Sequence, residues 1–150
     1  AVELIKKAIN ADGSMPLYTM RPVAQLSIRL NAPEVARQIF DHWWQSPGID
    51  PGQVVALRAK MEAQIGDLNR AIVGYERASI LYFGQRKFTS LHYLIQAAKL
   101  EMKAGRLSAA KRRLEDAQER FPSAPTYQRP VVEALDLLRR RYMKPSKAKP

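Results

Sequence analysis

One spacing of residues recurs three times along the chain and constrains its fold more than any other feature. A glycine or asparagine is followed five positions later by alanine, four positions after that by a large residue, and three positions further by a second small or apolar residue. The copies are Gly105, Ala110, Leu114 and Ala117; Gly66, Ala71, Tyr75 and Ala78; and, more weakly, Asn31, Ala36, Phe40 and Trp43. A period of 35 to 39 residues between the first alanines predicts stacked pairs of helices.

The residue types at these positions suit a helical hairpin in each copy. Glycine and asparagine readily adopt the left-handed conformation that ends a helix. The alanine suits a point where two helices approach closely, and the large residue four positions later lies on the same face. Because one hairpin cannot bury its apolar face alone, we expect neighbouring hairpins to stack. The sequence therefore predicts an all-α fold.

Capping and breaking residues predict about eight helices. Asp50 and Pro51 suit the N-cap and first turn of the fourth helix, and Pro130 is expected to open the last one. The first helix is expected at 1–10 and the second is expected to end near 30, and the others are expected at 31–45, 51–65, 68–83, 91–104, 107–121 and 130–142. We expect turns at 11–16 and 46–52, a loop at 84–90, a linker at 122–130 and a basic flexible tail at 143–150. No apolar run approaches the roughly 18 residues of a membrane span.

The repeated residues resemble the tetratricopeptide repeat, whose unit of about 34 residues is a helical hairpin. Ala59, Ala98 and Pro122 also match its small positions and its closing proline. The resemblance covers about residues 17–122 and implies a right-handed α-solenoid of about three hairpins. It further implies an N-terminal helix and a C-terminal capping helix within a single domain. We expect the three hairpins at 17–50, 52–86 and 91–122 and the capping helix at 130–142. The domain is expected to span 1–142.

The chain departs from the family pattern on the first helix of two units. Val55 and Leu94 stand where the family carries an aromatic residue, and Glu62 and Glu101 stand in place of a later tyrosine. These two glutamates occupy equivalent positions of the repeat. We expect them to form ion pairs or to face solvent.

The resemblance also implies a binding surface. In the tetratricopeptide family the first helix of each repeat lines a concave groove that binds a segment of another protein. The corresponding positions here mix cations with small or flexible apolar groups, which suits a peptide carrying acidic residues beside apolar anchors. The implied partner-binding residues are Gln53, Lys60, Gln64, His92, Ile95, Lys99, Met102 and Lys103, with Tyr18, Arg21, Gln25, Ile28 and Arg29 from the first unit. The carboxylate clamp of the family's chaperone-binding members is absent.

Positive charge at the C-terminal end supports an alternative function. The formal net charge is +11, and residues 103–150 carry 13 basic and 5 acidic side chains. Clustered lysines and arginines can track phosphates, so binding of RNA or DNA is the alternative, and contact of the tail with an anionic membrane is a lesser one. Few aromatic residues accompany these cations for base stacking. The basic patch consists of Lys111, Arg112, Arg113, Arg139, Arg140 and Arg141.

Trp43 and Trp44 are neighbours on a predicted helix and therefore point in different directions. One of them should lie in the core. The other should be exposed, as an anchor for a partner or a neighbouring subunit, unless the N-terminal helix covers both.

No grouping of residues predicts catalysis, a metal site or a cofactor. Cysteine is absent, His42 and His92 are isolated, and the glycines form no phosphate-binding loop. We therefore expect a soluble, non-catalytic protein-interaction module, such as an adaptor, chaperone or assembly factor, in which oligomerisation stays open. The sequence begins without Met, so the loss of a targeting segment is compatible with it and the compartment stays open.

Overall fold

The computed structural model describes residues 1–10 and 17–143, and this part of the chain consists of helices and short connections. The all-α expectation is confirmed there, since none of these residues lies in a strand. No helix in these two ranges is long and apolar enough to cross a membrane. The helices are α1 (Val2–Asn10), α2 (Leu17–Arg29), α3 (Pro33–Trp44), α4 (Pro51–Ile65), α5 (Leu68–Tyr82), α6 (Lys87–Lys103), α7 (Leu107–Arg120) and α8 (Pro125–Tyr142).

The turns that open the three copies of the repeated spacing share one backbone geometry. Asn31, Gly66 and Gly105 have φ angles of 55°, 99° and 79°, the left-handed conformation expected from their residue types. At each turn this residue donates its N–H to a carbonyl three residues back, and the next residue donates to one five residues back. This pair of hydrogen bonds satisfies carbonyls at the end of the preceding helix.

The repeated spacing also marks the packing positions of α3, α5 and α7. All nine alanine, large and closing residues are buried, and the three anchor alanines are 0% exposed. A methyl group is the largest side chain that leaves two helix backbones in such close contact. The buried residues are Ala36, Phe40, Trp43, Ala71, Tyr75, Ala78, Ala110, Leu114 and Ala117.

Helix α6 begins at Lys87, four residues before the expected start at Leu91. The predicted loop at 84–90 is therefore too long. The hydroxyl of Ser90 is buried and donates to the backbone carbonyl of Ser79 on α5, 2.7 Å away. This contact holds the first turn of α6 against α5. Because it joins residues on different helices, the local turn-forming and capping residues do not predict it.

Helix α8 begins at Pro125, so the expectation that Pro130 opens this helix is wrong, and Pro130 lies inside it. Pro125 occupies the first turn instead, where a missing N–H costs nothing. The side-chain amide of Gln128 donates to the carbonyls of Phe121 and Pro122, at 3.3 and 2.9 Å. These bonds tie the start of α8 to the end of α7. The predicted turn at 11–16 and the tail beyond Met143 lie outside the described residues.

Three clusters of apolar side chains follow one another along the chain. The first joins α1 through α4 around Phe40, the second lies between α4, α5 and α6 around Tyr75, and the third joins α6, α7 and α8 around Leu114 and Leu138. Helices α4, α5 and α6 make the most extensive neighbouring contacts. The helix pairs α2–α3, α4–α5 and α6–α7 overlap the ranges 17–50, 52–86 and 91–122 of the predicted units, whose arrangement as repeats stays a prediction.

The hairpin of α4 and α5 is closed by Asp50 and Tyr82. Asp50 caps α4 by accepting from the backbone N–H groups of Gly52 and Gln53, and its other oxygen accepts from the Tyr82 hydroxyl at 2.7 Å. Burial of the Tyr82 hydroxyl, and to a smaller degree its hydrogen bond to Asp50, raises the pKa of Tyr82 to about 12. A Cβ at Gly52 would lie 2.5 Å from the Tyr82 ring, so glycine allows this close contact.

The two repeat-equivalent glutamates are buried and paired with arginine. Glu62 is 2% exposed and accepts two hydrogen bonds from Arg37 of α3, both at 3.0 Å. Glu101 is 4% exposed and accepts two from Arg113 of α7, at 3.0 and 2.7 Å. Of the two expected environments, the ion pair is the one observed. The hydrogen bonds that both arginines donate to these carboxylates raise the pKa of the two guanidinium groups.

Replacing Gly74 with alanine is expected to destabilise the fold by roughly 1–3 kcal/mol through overpacking. A Cβ at position 74 would lie 2.7 Å from the Cβ of Ala59, where α4 and α5 cross. Urea unfolding followed by circular dichroism measures the effect. The control is Gly84→Ala, where an added Cβ meets nothing within 4 Å. Equal stability of the two variants would contradict the close crossing.

Replacing Arg113 with methionine is expected to cost about 3–5 kcal/mol, because the buried carboxylate of Glu101 then lacks its counter-charge. The double variant Glu101→Met/Arg113→Met removes both charges and is expected to recover most of that loss. The same unfolding measurement compares the two proteins. A double variant as unstable as the single one would show that packing, rather than charge pairing, explains the loss.

Candidate functional site

The first-helix residues implied for the second unit lie on one side of α4. Lys60 and Gln64 are exposed and line a shallow depression together with Arg21 and Gln25 of α2. Gln53 is exposed two turns earlier on α4, at a spacing that places it on the same side. The structure therefore brings implied residues of the first and second units together at this point.

His92 and Lys99, implied for the third unit, line a groove between α6 and α8 with a volume of about 380 Å³. Phe88 of α6 is 53% exposed and extends the same wall. Glu133 and Leu137 of α8 form the opposite wall. The contribution of α8 was not predicted from the sequence, because its path beside α6 depends on tertiary packing.

The remaining implied residues of α6 have three different environments. Ile95 is buried and contributes to the floor of the groove. Met102 is 1% exposed and belongs to the core cluster of α6, α7 and α8, so the expected contact of its flexible side chain with a partner is not available. Lys103 is exposed in the last turn of α6. The usable lining is thus smaller and more polar than the sequence indicates.

His92 is kept neutral by its surroundings. Burial lowers the pKa of its imidazole below the ordinary value, and the Lys99 ammonium lowers it further. The imidazole also contacts the ring of Tyr93 edge-on, with centroids 5.5 Å apart. Near neutral pH the groove therefore carries the positive charge of Lys99, while His92 offers a neutral donor and acceptor.

The six cations of the predicted basic patch do not share one environment. Arg113 is 19% exposed, and its guanidinium is bound to Glu101. Lys111 and Arg139 each lie within 4 Å of a carboxylate one turn away on their own helix. The exposed members that form no ion pair with a described residue are Arg112, Arg140 and Arg141.

A larger cavity, of about 840 Å³, lies on the opposite side of α4. This α3–α5 cleft has α3 and α5 as its walls and α4 as its floor. Val55, Arg58 and Glu62 of α4 face it, about half a turn around the helix from Lys60 and Gln64. The sequence pattern does not predict this cavity.

Of the two alternatives for the adjacent tryptophans, the structure shows one inside and one outside, and the N-terminal helix does not cover both. Trp43 is 8% exposed and stacks on Phe40, with ring centroids 5.5 Å apart. Trp44 is 50% exposed and lies in the wall of the α3–α5 cleft. The exposed tryptophan is the one sequence signal that pointed to this surface, since large aromatic residues at the surface are typical of protein interfaces.

The described residues contain no group of three or more His, Asp or Glu side chains that could hold a metal ion. Comparison of the chain with protein-family models, with curated proteins and with solved structures finds no match. The function is therefore inferred from the residues and geometry of the grooves.

Acidification is expected to weaken the fold through His92. Because its pKa is lowered in the folded protein, the unfolded chain binds a proton more readily just below the ordinary value of about 6.5, and stability falls as the pH falls through this window. Unfolding free energies at about pH 7.5 and about pH 5.5 should differ less in His92→Gln than in the wild type. His42→Gln serves as the control. An unchanged pH dependence in His92→Gln would contradict the burial of the imidazole.

Proposed function

We propose that the chain is a non-catalytic, tetratricopeptide-like module that binds a segment of another protein along the face of its first helices. The groove between α6 and α8 carries this proposal. There, two residues that the resemblance implies, His92 and Lys99, lie beside the half-exposed ring of Phe88 and above an apolar floor. This combination can bind an apolar anchor and a charged group side by side.

The charges of the groove favour a segment with acidic residues. Lys99 forms no ion pair with a described residue, so its ammonium is available to a carboxylate of the partner. Glu133 on the α8 wall repels a carboxylate placed near it. We therefore expect the acidic group of the partner on the α6 side, with an apolar side chain between Phe88 and Leu137.

The repeat assignment belongs to the same proposal. Its support is the shared backbone geometry at Asn31, Gly66 and Gly105, together with the burial of the nine packing residues at equivalent positions. A right-handed α-solenoid with α8 as the capping helix follows from the resemblance. Such a chain would act as an adaptor, chaperone or assembly factor.

The second candidate function is binding of RNA or DNA at the C-terminal end. Arg112, Arg140 and Arg141 favour it, since they are exposed and form no ion pair with a described residue. Each of these three groups could contact a phosphate. Phosphate contacts release counterions, so this binding would weaken steeply with salt, whereas apolar contacts in a groove would not.

The proposal predicts that Lys99→Glu removes a protein partner captured from the native extract, with at least about a tenfold loss of affinity for the isolated partner. Fluorescence anisotropy at moderate and high salt measures this loss. The matched control is Lys111→Glu on α7, with the same charge change outside the groove. Groove binding would be contradicted if both variants had equal effects. It would also be contradicted if the low-salt sample contained nucleic acid and all captured material were lost at high salt.

A further inference from the structure

We propose that the α3–α5 cleft is a second docking site and that its occupant is an acidic amphipathic helix of a partner protein. The cleft lies on the side of α4 opposite Lys60 and Gln64, so it is separate from the surface of the proposed function. Its occupation would give the chain two partners at once.

The shape of the cleft suits an added helix. Its volume of about 840 Å³ is bounded on two sides by helices and below by a third, which is the setting that a helix of about 10–12 Å diameter finds inside helical proteins. Gly74 lies in the α5 wall, where α5 packs directly against Ala59 of the floor.

Both walls present apolar side chains to the cleft. Trp44 of α3 is 50% exposed, and Val73 of α5 is 47% exposed. The apolar surface continues along α5, where Ile80 and Leu81 are 66% and 48% exposed. A half-exposed tryptophan facing a branched aliphatic side chain is a typical anchor point for one large apolar residue of a partner.

The carboxylates of the cleft are already neutralised. Asp41 of α3 accepts a hydrogen bond of 2.6 Å from Arg58 of α4. Both oxygens of Glu62, in the floor, are taken by Arg37, which lies outside the lining. The charge that a partner meets is therefore not set by these acidic groups.

The charge that remains is positive. Arg77 lines the cleft and forms no ion pair or hydrogen bond with a described residue. Arg70 is 56% exposed but lies 3.5 Å from Asp67 and 3.9 Å from Glu62, so Arg77 supplies the main positive charge of the cleft. Both arginines lie on α5 close to Val73. A matching helix needs carboxylates about one turn from its apolar residue.

A protein helix matches this surface better than a nucleic acid. The lining offers one exposed aromatic ring for stacking, that of Trp44, because Phe40 is buried, whereas single-stranded nucleic acids require successive aromatic residues along a cationic track. An amphipathic helix needs only the single apolar anchor point that Trp44 and Val73 supply, with a carboxylate beside it for Arg77.

Selection from a displayed library tests the proposal on the full chain. The library holds tryptophan-free amphipathic helices of about 20 residues with randomised charged and apolar positions. The selected peptides should carry carboxylates beside a large apolar residue. In the variant Trp43→Phe, which leaves Trp44 as the only tryptophan, their binding should move the emission of Trp44 to shorter wavelength and protect it from acrylamide quenching.

Variants then locate the binding. Arg77→Glu and Val73→Asp should each lower peptide affinity at least about tenfold, whereas Arg112→Glu on α7 and Lys99→Glu should leave it unchanged. Because Arg77 and Val73 are exposed, these changes leave the core intact. Failure to select acidic helices, no change in Trp44 emission, or affinities unaffected by the cleft variants would each overturn the proposal. So would a mixed-sequence RNA oligonucleotide that binds more tightly than the peptides and is lost with Arg77→Glu.

Discussion

The buried carboxylates of Glu62 and Glu101 impose the constraint on which the rest of the structure depends. A charged group that is almost fully removed from water must be paired and hydrogen-bonded. Each glutamate meets this demand with two hydrogen bonds from one arginine, Arg37 for Glu62 and Arg113 for Glu101. The fork geometry of a guanidinium fixes direction as well as distance. The pairs therefore set how α3 lies against α4 and how α7 lies against α6.

This pairing also decides which charges reach the surface. Arg113 belongs by sequence to a basic cluster, yet Glu101 holds it at the interface of two helices. Glu62 would make the α3–α5 cleft acidic, yet Arg37 pairs with it, and Arg77 on α5 adds positive charge to the cleft. Helix α4 consequently has a polar side with Lys60 and Gln64 and an opposite side that floors an apolar, positively charged cleft. Two distinct faces on opposite sides of α4 suit the proposed role of connecting partners.

The sequence predicted those features that depend on local geometry. The left-handed turns at Gly66 and Gly105 and the buried alanines follow from residue type and spacing. The starts of α6 and α8 do not follow from residue type and spacing. The hydrogen bonds from Ser90 to Ser79 and from Gln128 to the end of α7 stabilise helix where the local residues indicate a loop. The α3–α5 cleft and the α8 wall of the groove arise only from the relative placement of helices, which a repeat pattern does not specify.

Photo-cross-linking in the native extract tests the central claim, that both faces bind protein, most directly. A photoreactive phenylalanine derivative replaces Phe88 at the groove, Val73 at the cleft, or the exposed Glu119 on α7, in three separate proteins. The account predicts protein adducts at positions 88 and 73, different from each other, and none at position 119. Adducts that are the same at all three positions, or nuclease-sensitive adducts only, would contradict it.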